Sequence, residues 1–358
     1  MKKRDIVLTA ALALPGVLMG LFALLKENRP FMDRWVYGIL APVEQFWGRV
    51  WSVFPFSVAE VLCVTVIVGG LALLTWGTVA LFRRRWGSAL RRVLALVALV
   101  LWLLAGLDWL WNASYYASNF ARRSGLVARP CSVEELEAVT ADFARLASEY
   151  ACQVQRDEEG HFALSRQACL DRGTGVYRGI VEEFPFLDIT PVRAKPLVCS
   201  RLQSILGFTG IYFPFTGEAN VNVDAPACLL PATVAHEMAH QRMVAAEEEA
   251  NFVGIAACVT SEDAAYAYSG YLMGLIHLSN ALYRADPQRW YAVLGQLGAE
   301  VLVDWQDNND YWAALASPVE QAAGQAYDAF LKGNDQSLGL RSYGACVDLL
   351  VSWWSRRP

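Results

Sequence analysis

Two of the four histidines in the chain stand four residues apart, in His236-Glu237-Met238-Ala239-His240. On a helix of about 3.6 residues per turn, such positions share a face. Two imidazoles placed that way can hold one Zn²⁺ through ring nitrogens at about 2.0–2.1 Å. Glu237 falls at the edge of the same face, where it can act on water at the metal rather than bind the metal. The motif is short enough to arise by chance. Its flanks Ala232, Val234, Ala235, Met238 and Ala239 are apolar, however, which predicts a buried helix. Burying two histidines and a glutamate together is costly unless they are partners.

A third ligand is expected within Glu247-Glu248-Glu249-Ala250-Asn251. On one straight helix Glu247 would share the histidine face but stand about 10 Å beyond His240. No carboxylate bridges that gap at a bond of about 2.0–2.2 Å. The chain must therefore turn within 241–246, and a second helix from about Ala246, with Phe252, Ile255, Ala256 and Val259 on its packed face, must bring Glu247 back. The rival reading for each glutamate is a solvated acidic first turn, which suits Glu248 best.

Other elements must position these two helices. Pro231 suits the first turn of the motif helix. Over 189–225, β-branched and aromatic residues alternate with Gly and Pro, which predicts short strands. The segment from Pro214 to Val223 then serves either as an edge strand that pairs with an extended peptide, Glu218 and Asn220 making contacts, or as a plain structural strand. Most of the remaining chain from about 132 reads as helical, opened by the capping box Ser132-Val133-Glu134-Glu135.

The first third is a different material. Three apolar runs, about 6–25, 58–82 and 93–111, each have the roughly 20 residues that cross a bilayer as helix. Ser57-Val58-Ala59-Glu60 reads as a capping box opening the second. Residues 33–55, with Trp35, Phe46, Trp47 and Trp51 among charges, read as an amphipathic segment lying in the interface. Lys2, Lys3 and Arg4 precede the first run, and Arg83, Arg84, Arg85, Arg91 and Arg92 fall between the second and third. By the positive-inside rule the N-terminus is cytoplasmic, and everything after Trp111 is outside. Trp and Tyr at 109, 111, 115 and 116 suit an aromatic belt at that exit. A formal charge of −5 despite an arginine-rich anchor leaves the outer region acidic, which argues against nucleic acid as a partner. Seven of the eight cysteines lie beyond the third run, where disulfides are allowed. No pair has the C-x-x-C spacing of a cysteine zinc site.

Glu-x-x-Ala-Asn after His-Glu-x-x-His resembles the gluzincin pattern. That resemblance implies Glu247 as third zinc ligand and Asn251 as the residue that orients a ligand histidine. A metzincin pattern fits worse, since Met243 and Ala246 stand where its turn glycine and third histidine belong. Over nearly the whole chain, three membrane helices, Tyr212-Phe213-Pro214-Phe215-Thr216-Gly217-Glu218-Ala219-Asn220-Val221-Asn222, the zinc motif, Tyr327-Asp328-x-Phe330-Leu331-Lys332 and Ser342-Tyr343-Gly344 resemble the bacterial family called domain of unknown function 3810. That family implies the architecture and no substrate.

The remaining candidates are ambiguous residue by residue. Tyr343 either donates to the oxyanion of an attacked carbonyl or is a partly buried helix tyrosine. His277 reads as a core histidine and His161 as part of an exposed turn. Asp304, Asp307 and Asp310 lack EF-hand spacing and read as a solvated acidic loop. The expectation is a membrane-anchored, mainly α chain with a small β element (α+β). It comprises a three-helix anchor over 1–115 and an extracytoplasmic zincin-like domain over 116–358. The expected activity is zinc-dependent hydrolysis of peptides or proteins at the outer face of the bilayer, by His236, His240, Glu247 and the base Glu237. The alternative is a catalytically inactive zincin-like sensor or envelope scaffold. A transporter is disfavoured, because the runs carry only Glu60 and Asp108 near their ends.

Overall fold

The computed structural model describes residues 3–334 and 343–357. It is mainly helical, with one three-stranded sheet. Three helices are long and apolar enough to cross a membrane: Ile6–Leu25, Val58–Phe82 and Trp86–Tyr116. Between 6% and 11% of their residues are buried, so their apolar surface faces outward, as it must in lipid. This is a membrane protein by the length and composition of these spans.

The anchor differs from the expected one in detail. The third span begins at Trp86, so Arg91 and Arg92 lie in its first turns and the basic loop is reduced to Arg83–Arg85. The capping box at Ser57 is half formed. Ser57 accepts the Glu60 N–H, but the Glu60 carboxylate reaches across to the backbone N–H groups of Val198 and Cys199, at 2.8 and 2.9 Å. The box at Ser132 is complete in both directions. Segment 33–55 is helical through Ala41–Trp51. One face of the helical run that begins at Arg29, with Met32, Val36, Leu40 and Ala41, packs on Ala113 and Met243, while Phe46 and Trp47 stay exposed.

The third span does not stop at the expected Trp111. It continues through a π-helical turn, Asp108–Asn112, into Ala113–Tyr116. Such turns change the direction of side chains within a continuous helix, and this one holds Trp111 against His240. Beyond it, Ser132 opens Val133–Ala151, which packs against Ala264–Ala285. The motif helix is Leu230–His240, and a second helix, Glu247–Val259, packs against it. Both are buried along nearly their whole length, and Gly254 lets them touch: a Cβ there would lie 2.9 Å from the His236 backbone nitrogen.

The strands are β1 (Lys195–Pro196), β2 (Gly210–Phe213) and β3 (Glu218–Val221), in the order β1-β3-β2. β3 is parallel to β1 and antiparallel to β2, with Ile211 opposite Asn220 and Phe213 opposite Glu218. The segment expected as an edge is thus the buried centre of the sheet, and β2 is the edge beside the motif helix. The aspartates expected in an acidic loop lie on the helix Ala299–Leu315. Asp304 is buried there, accepting from Phe162 N–H, Arg156 and the Tyr268 hydroxyl. All eight cysteines are free thiols, and Cys169, Cys228, Cys258 and Cys346 are buried in the core as small apolar residues.

Candidate metal centre

The turn after His240 sets the geometry. Arg242 N–H bonds to the Ala239 carbonyl, Met243 N–H to that of His240, and Val244 N–H returns to Ala239. Met243 takes a left-handed φ of 60°, uncommon for a residue with a side chain. The chain reverses within these residues, and Glu247 opens the second helix facing the histidines. Its carboxylate lies 3.3 Å from His236 Nε2 and 3.8 Å from His240 Nε2. The ligand atoms of His236, His240 and Glu247 all lie within 4.8 Å of one another.

That set fits zinc. Bonds of about 2.0–2.1 Å at tetrahedral angles put ligand atoms roughly 3.3 Å apart; the His236–Glu247 pair stands at 3.3 Å and the His240–Glu247 pair, at 3.8 Å, is looser. His240 Nδ1 lies 2.7 Å from the Val244 carbonyl oxygen. A carbonyl only accepts, so Nδ1 carries the proton and Nε2 keeps its lone pair toward the cluster. Asn251 stands beside His236 and favours its protonated form, although His236 Nδ1 is buried with no hydrogen bond of ordinary geometry. Asn251 is thus a neighbour of His236 that gives Nδ1 no hydrogen bond. Glu248 does not join the cluster, and Glu249 accepts the N–H groups of Phe120 and Ala121 at 2.9 and 3.0 Å.

Without a cation, the electrostatics are those of a compressed charge cluster. Burial works against the Glu247 carboxylate, yet the His236 hydrogen bond and both imidazoles outweigh it and hold it down at about 2. Burial pushes His240 down to about 4. For His236 burial is overcome by Glu247 and Glu237, and its pKa is raised. Glu237 is 3% exposed. Burial pushes its carboxyl up to about 8, His236 opposing and Glu247 adding. Its Oε2 is buried with no hydrogen-bond partner, and the Tyr212 backbone N–H faces the group. A buried carboxylate with an oxygen unpartnered beside three ligands is placed to receive a proton.

Three neighbours of the centre were not singled out as site residues in the sequence. Tyr327, on the helix Pro318–Gly333, donates its hydroxyl to Glu247 Oε1 at 2.5 Å. Its motif, Tyr327-Asp328, was visible, but its target, 80 residues away, was not. Trp111 meets the His240 ring edge-on, centroids 5.4 Å apart. Gly210 lies so close that a Cβ would meet Glu237 Oε1 at 2.5 Å.

Two proposed residues are not brought to the centre. Glu218 is buried elsewhere: it accepts the backbone N–H of Ala59 at 2.7 Å and pairs with Lys195 at 2.5 Å, capping the second span. Asn220 spends its amide on the Ile211 and Glu218 carbonyls. The Tyr343 side chain lies outside the described residues. His277 is near enough to His236 to feel its charge, with burial the larger cause pushing it down to about 4, but it is not in the ligand set. His161 is on an exposed turn with Asp157.

The family model for proteins of unknown function, DUF3810, matches residues 35–351. The chain belongs to that family. In this DUF3810 protein the match takes in the second and third spans, the sheet, both helices of the centre and Tyr327. No curated protein and no solved structure matches the chain.

Proposed function

We propose that the protein is a membrane-bound, zinc-dependent metallopeptidase with a zincin-like catalytic region over 116–358. Its anchor is 1–115, and its N-terminus is cytoplasmic with the centre outside, as the distribution of Lys and Arg favours. The observation that carries the reading is the convergence of His236, His240 and Glu247 from two helices beside the buried Glu237 carboxylate, whose Oε2 has no hydrogen-bond partner.

A zinc ion held by His236, His240 and Glu247 would supply Lewis acidity to a peptide carbonyl and to an attacking water. Glu237 would take a proton from the attacking water and pass it to the leaving amine, the work of a general base and then acid. His240 is kept in its tautomer by Val244, and Tyr327 steadies Glu247. The edge of β2 offers backbone groups to an extended peptide beside Glu237.

One observation favours the alternative of an inactive sensor or scaffold. Glu237 and His240 are 3% and 4% exposed, so the centre opens only on the side of His236 and Glu247, whose side chains are 12% and 20% exposed. The deciding experiment gives detergent-purified protein a defined peptide mixture and sequences the products by mass spectrometry. Cleavage by wild type, abolished by chelation, restored by zinc and absent in Glu237→Gln, is the result expected of a peptidase. Zinc-loaded wild type that cuts nothing would favour the scaffold.

A further inference from the structure

The membrane anchor forms one wall of the centre. Trp111, where the third span leaves its apolar stretch, touches both His240 and the Tyr212 ring, the latter at 5.4 Å between centroids. Tyr115, one turn on, accepts the Trp111 indole N–H at 3.1 Å. It lies within electrostatic reach of both Glu247 and Tyr327.

Strand β2 leads from this wall down toward the bilayer. It starts at Gly210, against Glu237, and ends at Phe213, after which the chain turns through Phe215 and Gly217. Phe215 packs on the third span itself: a Cβ at Gly106 would lie 2.6 Å from its ring. Gly106 precedes Trp111 by five residues, or about 7.5 Å of helix. On its other flank the same turn seats on the helix Ala41–Trp51, where a Cβ at Gly48 would meet the Gly217 carbonyl oxygen at 2.8 Å. That helix and the loop after it expose Phe46, Trp47, Phe54 and Phe56. The rings form a continuous row through Trp51. Exposed aromatic rows beside membrane spans settle at the headgroup layer. Two elements on opposite sides thus place the end of β2 at that layer.

A peptide lying along the outer edge of β2, the side away from β3, to reach Glu237 therefore has one end at the headgroups. We infer that the substrate is a polypeptide segment presented at the membrane surface by its own anchor, with the scissile bond close to that anchor. This rests on the peptidase reading above. From Gly210 to Phe215 an extended chain covers about 16 Å at ~3.3 Å per residue, so the cut falls roughly three to eight residues from the anchor. A free peptide has no such registration and enters only from bulk concentration. Tethering raises the effective concentration by on the order of tenfold or more.

The test uses the full-length, zinc-loaded protein in nanodiscs and one randomised peptide mixture in three forms. The forms are free, carried on a transmembrane helix and carried on an N-terminal acyl chain, each tethered form with a short or an about 20-residue spacer. The expected result is cleavage of short-spacer tethered peptides at least about tenfold faster than free ones, at bonds near the anchor. The helix and acyl arms show which kind of anchor the site accepts. Equal rates for free and tethered peptides would overturn the inference and leave the peptidase standing. No cleavage of any form, with Glu237→Gln indistinguishable from wild type, would remove the peptidase reading and this inference with it.

Discussion

His240 reaches the cluster with its tautomer already chosen by the Val244 carbonyl, and Glu247 arrives with one oxygen already bonded by Tyr327. Bonds of this kind to metal ligands keep rings and carboxylates aimed, and their loss typically lowers metal affinity about 10–100-fold. Tyr327→Phe removes only the hydroxyl, leaving the ring on Phe208 and Phe330. We expect its zinc affinity, measured by competition with a chromophoric chelator, to fall by about tenfold or more while its Tm without zinc changes little. An unchanged affinity would make Tyr327 a bystander. Glu237 needs no such support from the metal side, because β2 presses on it: Gly210 leaves no room for a side chain there.

The motif helix and the helix of Glu247 meet backbone to backbone at Gly254. In Gly254→Ala the new methyl group would meet the His236 backbone, which cannot swing aside. Overpacking of this kind costs about 1–3 kcal/mol, and here it also moves Glu247 away from His236. Calorimetry should show a lower Tm, and the chelator competition weaker zinc binding, together. A lower Tm with full affinity would show that the helices part elsewhere. This pair was legible in the sequence because the argument was one of length: seven residues of straight helix cannot return Glu247 to His240, so a turn had to fall within 241–246, where it does. The spans were legible for the same kind of reason. The sheet was not. β1 is two residues long, and its pairing with β3 spans more than twenty residues of chain, so no local pattern announces that Glu218–Val221 is central. Glu60 and Glu218 were misread because their partners, Cys199 and the start of the second span, lie far along the chain. Asp304 looked like part of a solvated run, since three partners from distant segments are what bury it.

Across the whole molecule, anchor and outer region are interlocked rather than strung together. Glu218 and Lys195 close the second span, Glu60 holds Val198 and Cys199, and the Tyr212 hydroxyl donates to Glu44 on the helix between the first two spans. Glu44 is buried with Oε1 unpartnered, and burial, only partly opposed by Tyr212, raises its carboxyl well above the usual range. Below that range folded and unfolded chains both hold the proton. As pH rises through it the unfolded chain releases the proton first, so stability falls. Glu44→Gln keeps the shape and cannot ionise. Its Tm relative to wild type should therefore rise between about pH 5 and about pH 8, and a constant difference would mean that Glu44 ionises in the fold as freely as outside it. The central claim is the metal centre, and elemental mass spectrometry of the purified full-length protein tests it most directly. The account predicts near one zinc per chain, lost in His240→Ala and Glu247→Gln and retained in Glu237→Gln. A folded wild-type protein, purified without chelator, that carries no metal and takes up none when zinc is supplied would contradict it.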